Sequence, residues 1–234
     1  MIGLWYNKIQ ENERDRGVGM CGRYTTEIET DERELFRMLA RAEQNAQPSA
    51  EPHLMHGEAP IAAVSGREVF PSERAAVLAS GMNGETDAFM FRWGFDAEIG
   101  GKHRLLINAR AESAAEKPLF AVHLRQRRCV IPTAGFFEWA HVGRRADPAR
   151  KYRFNLPGTG ILYLAGMYRP SPTSPDGWEF VVLTREANDS MRPIHDRMPV
   201  ILRTEHVEEY LGSSVSARML LSETPPVLIK KLVS

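Results

Sequence analysis

Short apolar segments, each bounded by turn-forming or charged residues, occupy much of the second half of the chain and constrain its fold most strongly. They are residues 128–132, 161–167, 179–184 and 198–203. Apolar runs of this length between turn signals are typical of buried β-strands. The strands do not alternate regularly with helices, which favours an antiparallel or mixed sheet over a doubly wound parallel one. The sequence therefore predicts an α+β protein.

Helices are predicted at three places around these strands. Pro118 suits the first turn of a helix that continues to Arg125, and residues 205–211 form a second helix. Acidic residues after Thr30 favour a third, which ends near Glu43. Prolines and glycines interrupt the region that follows and leave room only for short strands. The remaining predicted elements are a short strand, 75–79, and an extended tail, 224–234.

The composition narrows the class of protein. Hydrophobic residues make up 43% of the 234 residues and charged residues 26%, as in ordinary folded domains, and no apolar run is long enough to span a membrane. The formal net charge is zero, which argues against coating nucleic acid by bulk charge but is compatible with a local basic groove. Two cysteines are too few for a disulfide framework, which favours free thiols in a reducing compartment. We expect a single cytoplasmic domain.

The first nineteen residues differ from the rest of the chain. A charged run at residues 11–16 precedes Gly17 and Gly19, and the segment lacks the features of a secretory signal. Either Met20 is the true initiator, or residues 1–19 are a disordered, propeptide-like extension that has to be removed. We therefore expect the folded domain to cover residues 20–234.

Cys21 follows Met20 directly and is the first candidate for chemistry. Removal of the methionine would leave a thiol and a free α-amine on one residue. An α-amine has an ordinary pKa near 7.7–8.0, so a fraction of it is a neutral nucleophile at neutral pH, and a base can ionise the thiol. Together the two groups can condense with an aldehyde to a thiazolidine ring. The alternative interpretation is a buried core cysteine.

Two further polar residues follow predicted strands. Asn108 comes after the apolar residues 105–107, where its amide can both donate and accept hydrogen bonds in a cleft. Glu138 lies between Phe137 and Trp139, where a carboxylate loses solvation and becomes suited to proton transfer. A turn asparagine and a surface glutamate are the alternative interpretations.

Histidines supply a third kind of candidate. His195 lies in a polar turn that leads into a strand, and it could act as a general acid or base with Asp196 or Arg197 adjusting it. A structural histidine is the alternative. His53 and His56 have metal-like spacing but no second ligand pair accompanies them, so we expect no metal, and no nucleotide or flavin cofactor either.

The order of these motifs resembles that of one protein family, the SOS response-associated peptidases (SRAP), which include abasic-site shields of bacteria and eukaryotes. The resemblance extends from Met20 to about Leu211 and implies a single domain with a barrel-like core of mixed or antiparallel strands and a few flanking helices. The motifs are M-C-G-R-Y from residue 20, I-N-A-R-A-E from 107, R-R-C-V-I-P from 127, G-F-F-E-W from 135 and I-H-D-R-M-P-V-I-L from 194.

This resemblance implies an abasic-site sensor in which Cys21 bonds covalently to the aldehyde of the damaged sugar. Asn108 and Glu138 would be its polar neighbours, with Glu138 moving the proton of the Cys21 amine. His195 would help the sugar ring to open, a proton transfer of the kind that typically contributes about 10² to 10⁴ in rate. Cleavage of the chain before Cys21 and a lyase-like activity are further expectations.

The implied partner is single-stranded DNA that contains abasic sites, bound by a monomer that is nucleoid-associated when on DNA. By the same resemblance, Arg23 and Arg110 would hold phosphates and Trp93 would stack on a base, which contributes about 1–3 kcal/mol without sequence preference. Thr184, at a strand end, would be a further DNA contact. Residues 45–100 depart from the family pattern, because Trp93 and Gly94 are followed by F-D-A-E rather than by a proline-containing continuation.

Two other classes of function use the same residues. A conventional cysteine hydrolase would take Cys21 as nucleophile, His195 as base and Asn108 as the group that orients the base, and it would cleave peptides in trans. A non-enzymatic DNA-binding module would not need Cys21 for tight binding. A hydrolase should tolerate residues 1–19, whereas capture of an aldehyde requires a free amine on Cys21.

Overall fold

The computed structural model describes residues 22–26, 37–38, 40–41, 67–81, 84–140, 149–171 and 177–233. The strands in these ranges are β1 (Arg23–Thr25), β2 (Glu68–Val69), β3 (Arg74–Ser80), β4 (Thr86–Trp93), β5 (Phe95–Ile99), β6 (Lys102–Leu106), β7 (Asn108–Arg110), β8 (Arg128–Thr133), β9 (Gly135–Ala140), β10 (Arg150–Asn155), β11 (Leu162–Pro170), β12 (Trp178–Glu186), β13 (Arg197–Pro199), β14 (Ile201–Leu202) and β15 (Ile229–Leu232). The helices are α1 (Ala111–Ala114), α2 (Pro118–Gln126), a 3₁₀ turn (Thr204–His206), α3 (Val207–Gly212) and α4 (Ser214–Leu220).

Five strands of the larger sheet form a closed ring. Around the ring, β12 pairs with β4, β4 with β3, β3 with β8, β8 with β11, and β11 again with β12. The pairing of β12 with β4 is parallel and the other four pairings are antiparallel. The predicted α+β domain with a mixed, barrel-like core is therefore confirmed.

The strands of this ring are buried on both faces. In β8, Val130 packs with residues of the helices α2, α3 and α4, whereas Cys129 and Ile131 pack with residues of a second sheet. The same alternation occurs in β3, β11 and β12. A strand covered on both sides has no polar face, which explains why these segments are continuous apolar runs in the sequence.

The second sheet has five strands in the order β15-β10-β9-β1-β2, all paired antiparallel. One face packs on the ring through Tyr24, Phe136 and Phe154, each 1% exposed or less. The rings of Phe136 and Phe154 stack with centroids 5.3 Å apart. The opposite face, called the outer face below, bears most of the charged side chains of these strands. The structure thus has three layers: helices, the ring and the five-stranded sheet.

A buried arginine joins two helices to the ring. Arg128, at the start of β8, is 7% exposed. Its Nε donates to the Tyr210 carbonyl at 2.6 Å and its Nη2 to the Leu211 carbonyl at 2.8 Å, near the end of α3. Its Nη1 donates to the Leu124 carbonyl at 3.2 Å, near the end of α2. One guanidinium therefore satisfies carbonyls that both helices leave unpaired at their ends.

The strands predicted at residues 75–79, 128–132, 161–167 and 179–184 are confirmed as β3, β8, β11 and β12. The predicted strand 198–203 is divided into β13 and β14, and the helix predicted at 205–211 begins as a 3₁₀ turn. Residues 37–38 and 40–41 are helical, as predicted, while the rest of that helix lies outside the described residues. None of the helices in the described ranges has the length and apolarity needed to cross a membrane.

Candidate functional site

The first and fourth sequence motifs in chain order, at residues 20–24 and 135–139, are joined by pairing of β1 with β9. Arg23 lies opposite Phe137, and Thr25 lies opposite Gly135. Gly135 is required by close packing, because a Cβ atom there would lie 2.9 Å from the Phe154 carbonyl oxygen. This pairing fixes the chain that immediately follows Cys21 against the strand that carries Glu138.

Glu138 points to the inner side of the five-stranded sheet. It lies opposite Tyr152 in the register of β9 with β10, so it shares the face of Phe136 and Phe154. The residue is 3% exposed, and its Oε2 accepts a hydrogen bond from the Trp139 N–H at 3.4 Å. A carboxylate in this position is held between the two sheets rather than at the solvent surface, as the aromatic neighbours in the sequence predict.

Asn108 and Arg110 lie on β7, which pairs in parallel with the long strand β12. Asn108 is opposite Val182, and Arg110 is opposite Thr184. Asn108 is partly buried and Arg110 is exposed. Asn108 follows the end of β6 and begins β7, while its presentation into a cleft and its role in binding stay predictions.

The motifs at 107–112 and 194–202 are connected by a bidentate ion pair. Arg197 donates from Nη1 to Glu112 Oε1 at 2.7 Å and from Nη2 to Glu112 Oε2 at 2.8 Å. Nη2 also donates to the Thr184 carbonyl at 2.8 Å. Burial raises the pKa of Glu112, but the hydrogen bonds and charge of Arg197 outweigh burial, and the pKa lies below its ordinary value. The pair is therefore ionised at neutral pH.

His195 precedes this arginine by two residues and is held by it. The Arg197 N–H donates to His195 Nδ1 at 3.0 Å, while Asp196 Oδ1 lies 2.9 Å from the same nitrogen. One ring nitrogen cannot accept from the first and donate to the second at once. Burial lowers the pKa of His195, the Asp196 carboxylate raises it and Arg197 lowers it, with a net decrease. The neutral ring therefore accepts from Arg197 and carries its proton on Nε2.

Protonation of His195 switches this arrangement. The imidazolium donates from Nδ1 to the Asp196 carboxylate, which is 86% exposed and well solvated. His195 thus has a partner for Nδ1 in either protonation state, and Nε2 is left to exchange a proton with a ligand. This geometry suits a general acid or base near neutral pH.

Trp93 connects the segment that follows Cys21 with the segment that contains Asn108. Its Nε1 donates to the carbonyl of Ile107, the residue before Asn108, at 3.0 Å. Its ring lies 5.2 Å from that of Tyr24 on β1. A Cβ atom added to Gly22 would lie 4.0 Å from Ile107 Cδ1. The chain next to Cys21, the strand end at Asn108 and the strand of Glu138 are therefore part of one packed unit.

The structure corrects the expectation that Trp93 stacks on a base. Trp93 is 0% exposed, and its ring packs near those of Tyr24 and Phe180. A nucleobase could reach the Trp93 ring only by displacing core side chains, and the free energy lost in this way exceeds the free energy gained by stacking. Trp93 instead packs on Tyr24 of β1 and donates to the Ile107 carbonyl, and so fixes these two segments relative to each other.

Thr184 is a second correction. It is 4% exposed, and its hydroxyl donates to the Ala109 carbonyl at 3.4 Å while its own carbonyl accepts from Arg197. It therefore positions Arg197 and does not present its hydroxyl to DNA. Glu112 is the residue that sequence reasoning missed, although it lies within the quoted motif.

Cys21 lies outside the described residues, as do His53 and His56. The other cysteine, Cys129, is free and fully buried, and burial raises the pKa of its thiol well above the ordinary value. Cys129 is therefore a core residue without the reactivity that a nucleophile needs. Within the described ranges there is no group of three or more His, Cys, Asp or Glu residues placed to hold a metal ion.

A cavity of about 410 Å³ lies elsewhere, between the β3–β4 hairpin and α3, and is lined by Thr86, Asp87 and Glu208 among others. Thr86 donates to Glu208 across it at 2.7 Å. None of the candidate site residues lines this cavity. Its volume alone therefore does not make it the functional site.

The fold and the site define an α+β protein in which β9 and the segment before Asn108 pack against strand β1, while an ion pair ties the segment of His195 to Glu112. The chain belongs to the SRAP family, "SOS response associated peptidase", whose sequence pattern matches residues 20–229. The family resemblance noted in the sequence is therefore confirmed.

Curated relatives carry a common functional name. The chain is 40% identical over 125 residues to the abasic site processing protein YoqW of Bacillus subtilis, a match that covers 51% of this chain and 52% of the relative. It is 30% identical over 113 residues to the abasic site processing protein YedK of Escherichia coli, covering 48% and 50%. The match to HMCES of Xenopus tropicalis is 27% identical and covers 41% and 34%. The chain thus spans about half the length of the bacterial relatives.

Solved structures show the same fold over nearly the whole chain. A protein from Bordetella bronchiseptica superposes with a TM-score of 0.63 at 22% identity, covering 92% of this chain and 100% of that one. A protein from Bacteroides thetaiotaomicron gives a TM-score of 0.63 at 20% identity, with 92% of each chain covered. At this level of identity the likeness concerns the fold.

Proposed function

We propose that this protein processes abasic sites in DNA by capturing the sugar aldehyde on Cys21. The observation that carries the proposal is the convergence described above: β1, which starts two residues after Cys21, pairs with the strand of Glu138 and packs through Tyr24 and Trp93 on the strand end of Asn108. The names of the curated relatives support the same conclusion.

The chemistry requires no cofactor. The neutral α-amine of Cys21 adds to the aldehyde carbon, and loss of water gives an imine. The Cys21 thiolate then adds to the imine carbon, and the nitrogen takes up a proton to close a thiazolidine. Atoms balance as aldehyde plus aminothiol giving thiazolidine plus water. The amine proton and the imine nitrogen need a nearby carboxyl group, the role proposed for the buried Glu138.

His195 has a separate role in this proposal. An abasic sugar is mostly a closed hemiacetal, so a proton must move between its hydroxyl and ring oxygen before an aldehyde is available. His195 Nε2 is the atom proposed to exchange that proton, since Nδ1 is held by Arg197 or Asp196. Asn108 orients the reacting groups by hydrogen bonds that leave their charge unchanged.

The substrate is proposed to be single-stranded DNA, with Arg110 and Arg23 as phosphate contacts. Arg110 is exposed beside Asn108, and Arg23 follows Cys21 by two residues. Arg23 is 19% exposed and pairs with Glu68 at 3.3 Å. Residues 1–20 must be absent for capture, by initiation at Met20 with removal of that methionine or by cleavage before Cys21, with the thiol and a nearby base acting in the chain's own hydrolysis.

A denaturing gel tests the proposal. Protein that begins at Cys21, its Cys21→Ala variant and the full 1–234 chain are each mixed with single-stranded DNA that contains one abasic site. A denaturation-resistant shifted band should form with the first protein and not with Cys21→Ala. For the full chain, a band that appears only as the mass of residues 1–20 is lost would support self-cleavage. Without a band from the Cys21-first protein, the proposal is wrong, and peptide cleavage in trans becomes the function to test.

A further inference from the structure

The cavity between the β3–β4 hairpin and α3 lies far from the proposed site. Thr86, in its lining, begins β4, whereas Trp93 ends that strand. The extended strand between them is roughly 24 Å long at about 3.4 Å per residue. The cavity volume of about 410 Å³ is within the range of small-molecule sites in proteins, about 300–1,000 Å³. The cavity is therefore separate from the proposed chemistry and has the size of a ligand site.

The floor of the cavity is apolar and belongs to the packed core. Leu78 and Ala88 lie opposite each other in the pairing of β3 with β4 and are 6% and 2% exposed. Val207, on α3, is 7% exposed, and Met38 packs against the same core. An apolar group that enters the cavity exchanges water for apolar neighbours, which is favourable in proportion to the apolar surface that it buries.

The rim of the cavity is polar, and two contacts join its walls. Arg41 donates to Asp87, from Nε to Oδ1 at 2.5 Å and from Nη2 to Oδ2 at 3.4 Å. Thr86 donates to Glu208 Oε2 at 2.7 Å. The first contact joins the helical residues 40–41 to β4, and the second joins β4 to α3. The cavity is thus bounded by elements that are hydrogen-bonded to one another.

The charged side chains of the lining balance in number, with Arg37 and Arg41 against Asp87 and Glu208. A polyanion such as DNA finds no excess of positive charge here. Because Arg41 and Asp87 neutralise each other, the charges left for a ligand are those of Arg37 and Glu208. Arg37 is exposed and forms no hydrogen bond or ion pair with another described residue, and Glu208 Oε1 has no donor among them. The apolar floor therefore lies between walls that bear opposite charges.

We infer that this cavity binds a short peptide that has an apolar side chain and both terminal charges. The ammonium group faces Glu208, the carboxylate faces Arg37, and the side chain lies on the apolar floor. A nucleobase is a poorer fit, because Tyr163, the one aromatic residue among the described residues of the lining, is 4% exposed and has no open face for stacking. The inference is independent of the chemistry proposed for Cys21.

Two neighbouring glutamates on α3 provide a matched pair for the test. Glu208 lines the cavity, whereas Glu209 is exposed and does not line it. The variants Glu208→Gln and Glu209→Gln lose the same charge from the same turn of helix. Arg37→Gln removes the other charge, and Arg218→Gln, which changes an exposed arginine outside the lining, is its control.

The experiment titrates the ¹⁵N-labelled 1–234 chain and its variants with the dipeptide Leu-Leu. Two-dimensional NMR follows the amide signals of Ala88 and Val207, which lie in the floor of the cavity. Saturable shifts of both signals are expected for the unaltered protein. Their dependence on dipeptide concentration gives the dissociation constant for each variant.

Loss of an exposed charge contact weakens binding by roughly 2- to 5-fold. The affinity of Glu208→Gln and of Arg37→Gln for Leu-Leu should therefore fall by about this factor, whereas both control variants should bind like the unaltered protein. N-acetyl-Leu-Leu lacks the ammonium charge. It should bind the unaltered protein more weakly than Leu-Leu does, and Glu208→Gln should not weaken its binding further.

Several results would overturn the inference. One is the absence of saturable shifts at Ala88 and Val207 with Leu-Leu, and another is equal affinity of Glu208→Gln and Glu209→Gln. Displacement of Leu-Leu by undamaged single-stranded DNA would also overturn it, because the cavity would then belong to a DNA-binding surface. Capture by Cys21 is tested separately by the denaturing gel, so failure of the peptide site and failure of the proposed function are distinguishable.

Discussion

Loss of the ion pair between Glu112 and Arg197 should slow the capture reaction, although neither residue is proposed to touch the reacting atoms. Arg197 holds His195 through its backbone N–H, and Glu112 holds Arg197. In Glu112→Gln only the amide oxygen still accepts, so one of the two charge-assisted hydrogen bonds is lost. The turn that carries His195 is then less firmly tied to the strand end of Asn108.

The magnitude follows from the geometry of the pair. A hydrogen bond to a charged group contributes about 1.5–3 kcal/mol, and the half-exposed Glu112 side chain, 49% accessible, reduces this by about half because solvent screens it. A loss of about 0.8–1.5 kcal/mol corresponds to roughly a 4- to 12-fold slower reaction, since about 1.4 kcal/mol is tenfold in rate.

The assay is the rate of crosslink formation with saturating abasic single-stranded DNA, followed by quenched time points on denaturing gels. Glu116→Gln, in the exposed connection after α1, is the matched control and should react like the unaltered protein. Because the loss comes from misplacement of His195, the pH profile of Glu112→Gln should change as well as its rate. Equal rates and pH profiles for Glu112→Gln and Glu116→Gln would refute the reasoning.

Three further predictions concern protonation, stability and thiol reactivity. The pKa of His195 lies below its ordinary value of 6.5, so the neutral imidazole is lost only when the pH falls through that lowered pKa. Asp196→Asn removes a carboxylate that raises the pKa of His195, so the acidic limb of the pH profile of capture should move to lower pH. A shift of this limb to higher pH would contradict the assigned contact. Arg128→Met leaves the carbonyls at two helix ends without a donor. The free energy of unfolding, measured in urea, should therefore fall by about 2–4 kcal/mol. Replacement of the exposed Arg125 by Met is the control and should change the free energy of unfolding little. Cys129 should resist iodoacetamide at pH 8 in the native protein and react in urea, as peptide mass mapping can show, and native labelling would contradict its burial.

Segments of the ring could be predicted from the sequence because their burial is unusually complete. β8, β11 and β12 are covered by helices on one face and by the second sheet on the other, so almost every residue is apolar. Such apolar runs can be recognised as buried strands from the sequence alone, without knowledge of the strands that pair with them.

Strand β10 could not be predicted in this way. Its sequence, R-K-Y-R-F-N, has three cations in six residues and resembles a surface loop. It forms a strand because Tyr152 and Phe154 face the ring while Lys151 and Arg153 lie on the outer face with aromatic and carbonyl partners. Only the tertiary structure supplies those partners.

The candidate site shows the same division. The motifs indicated Asn108, Glu138 and His195 as candidate polar residues, but residue type alone could not reveal that Trp93 is fully covered. The contact between Glu112 and Arg197 spans 85 residues of sequence. A link over that distance depends on the pairing of β7 and β13 with the same strand, which no local pattern encodes.

That strand, β12, has consequences for how the protein moves. It pairs with β11 and β13 along one edge and with β4 and β7 along the other. The segments that hold Asn108 and His195 are hydrogen-bonded to this same strand, next to the pairings that close the ring, so their placement depends on β12. The Val182 amide, which donates to the Ile107 carbonyl at 3.1 Å, should therefore exchange with solvent slowly as long as this segment stays paired. Under the proposed function, a damaged nucleotide would meet segments that β12 already holds in place, and the conformational adjustment needed for binding would fall to the DNA.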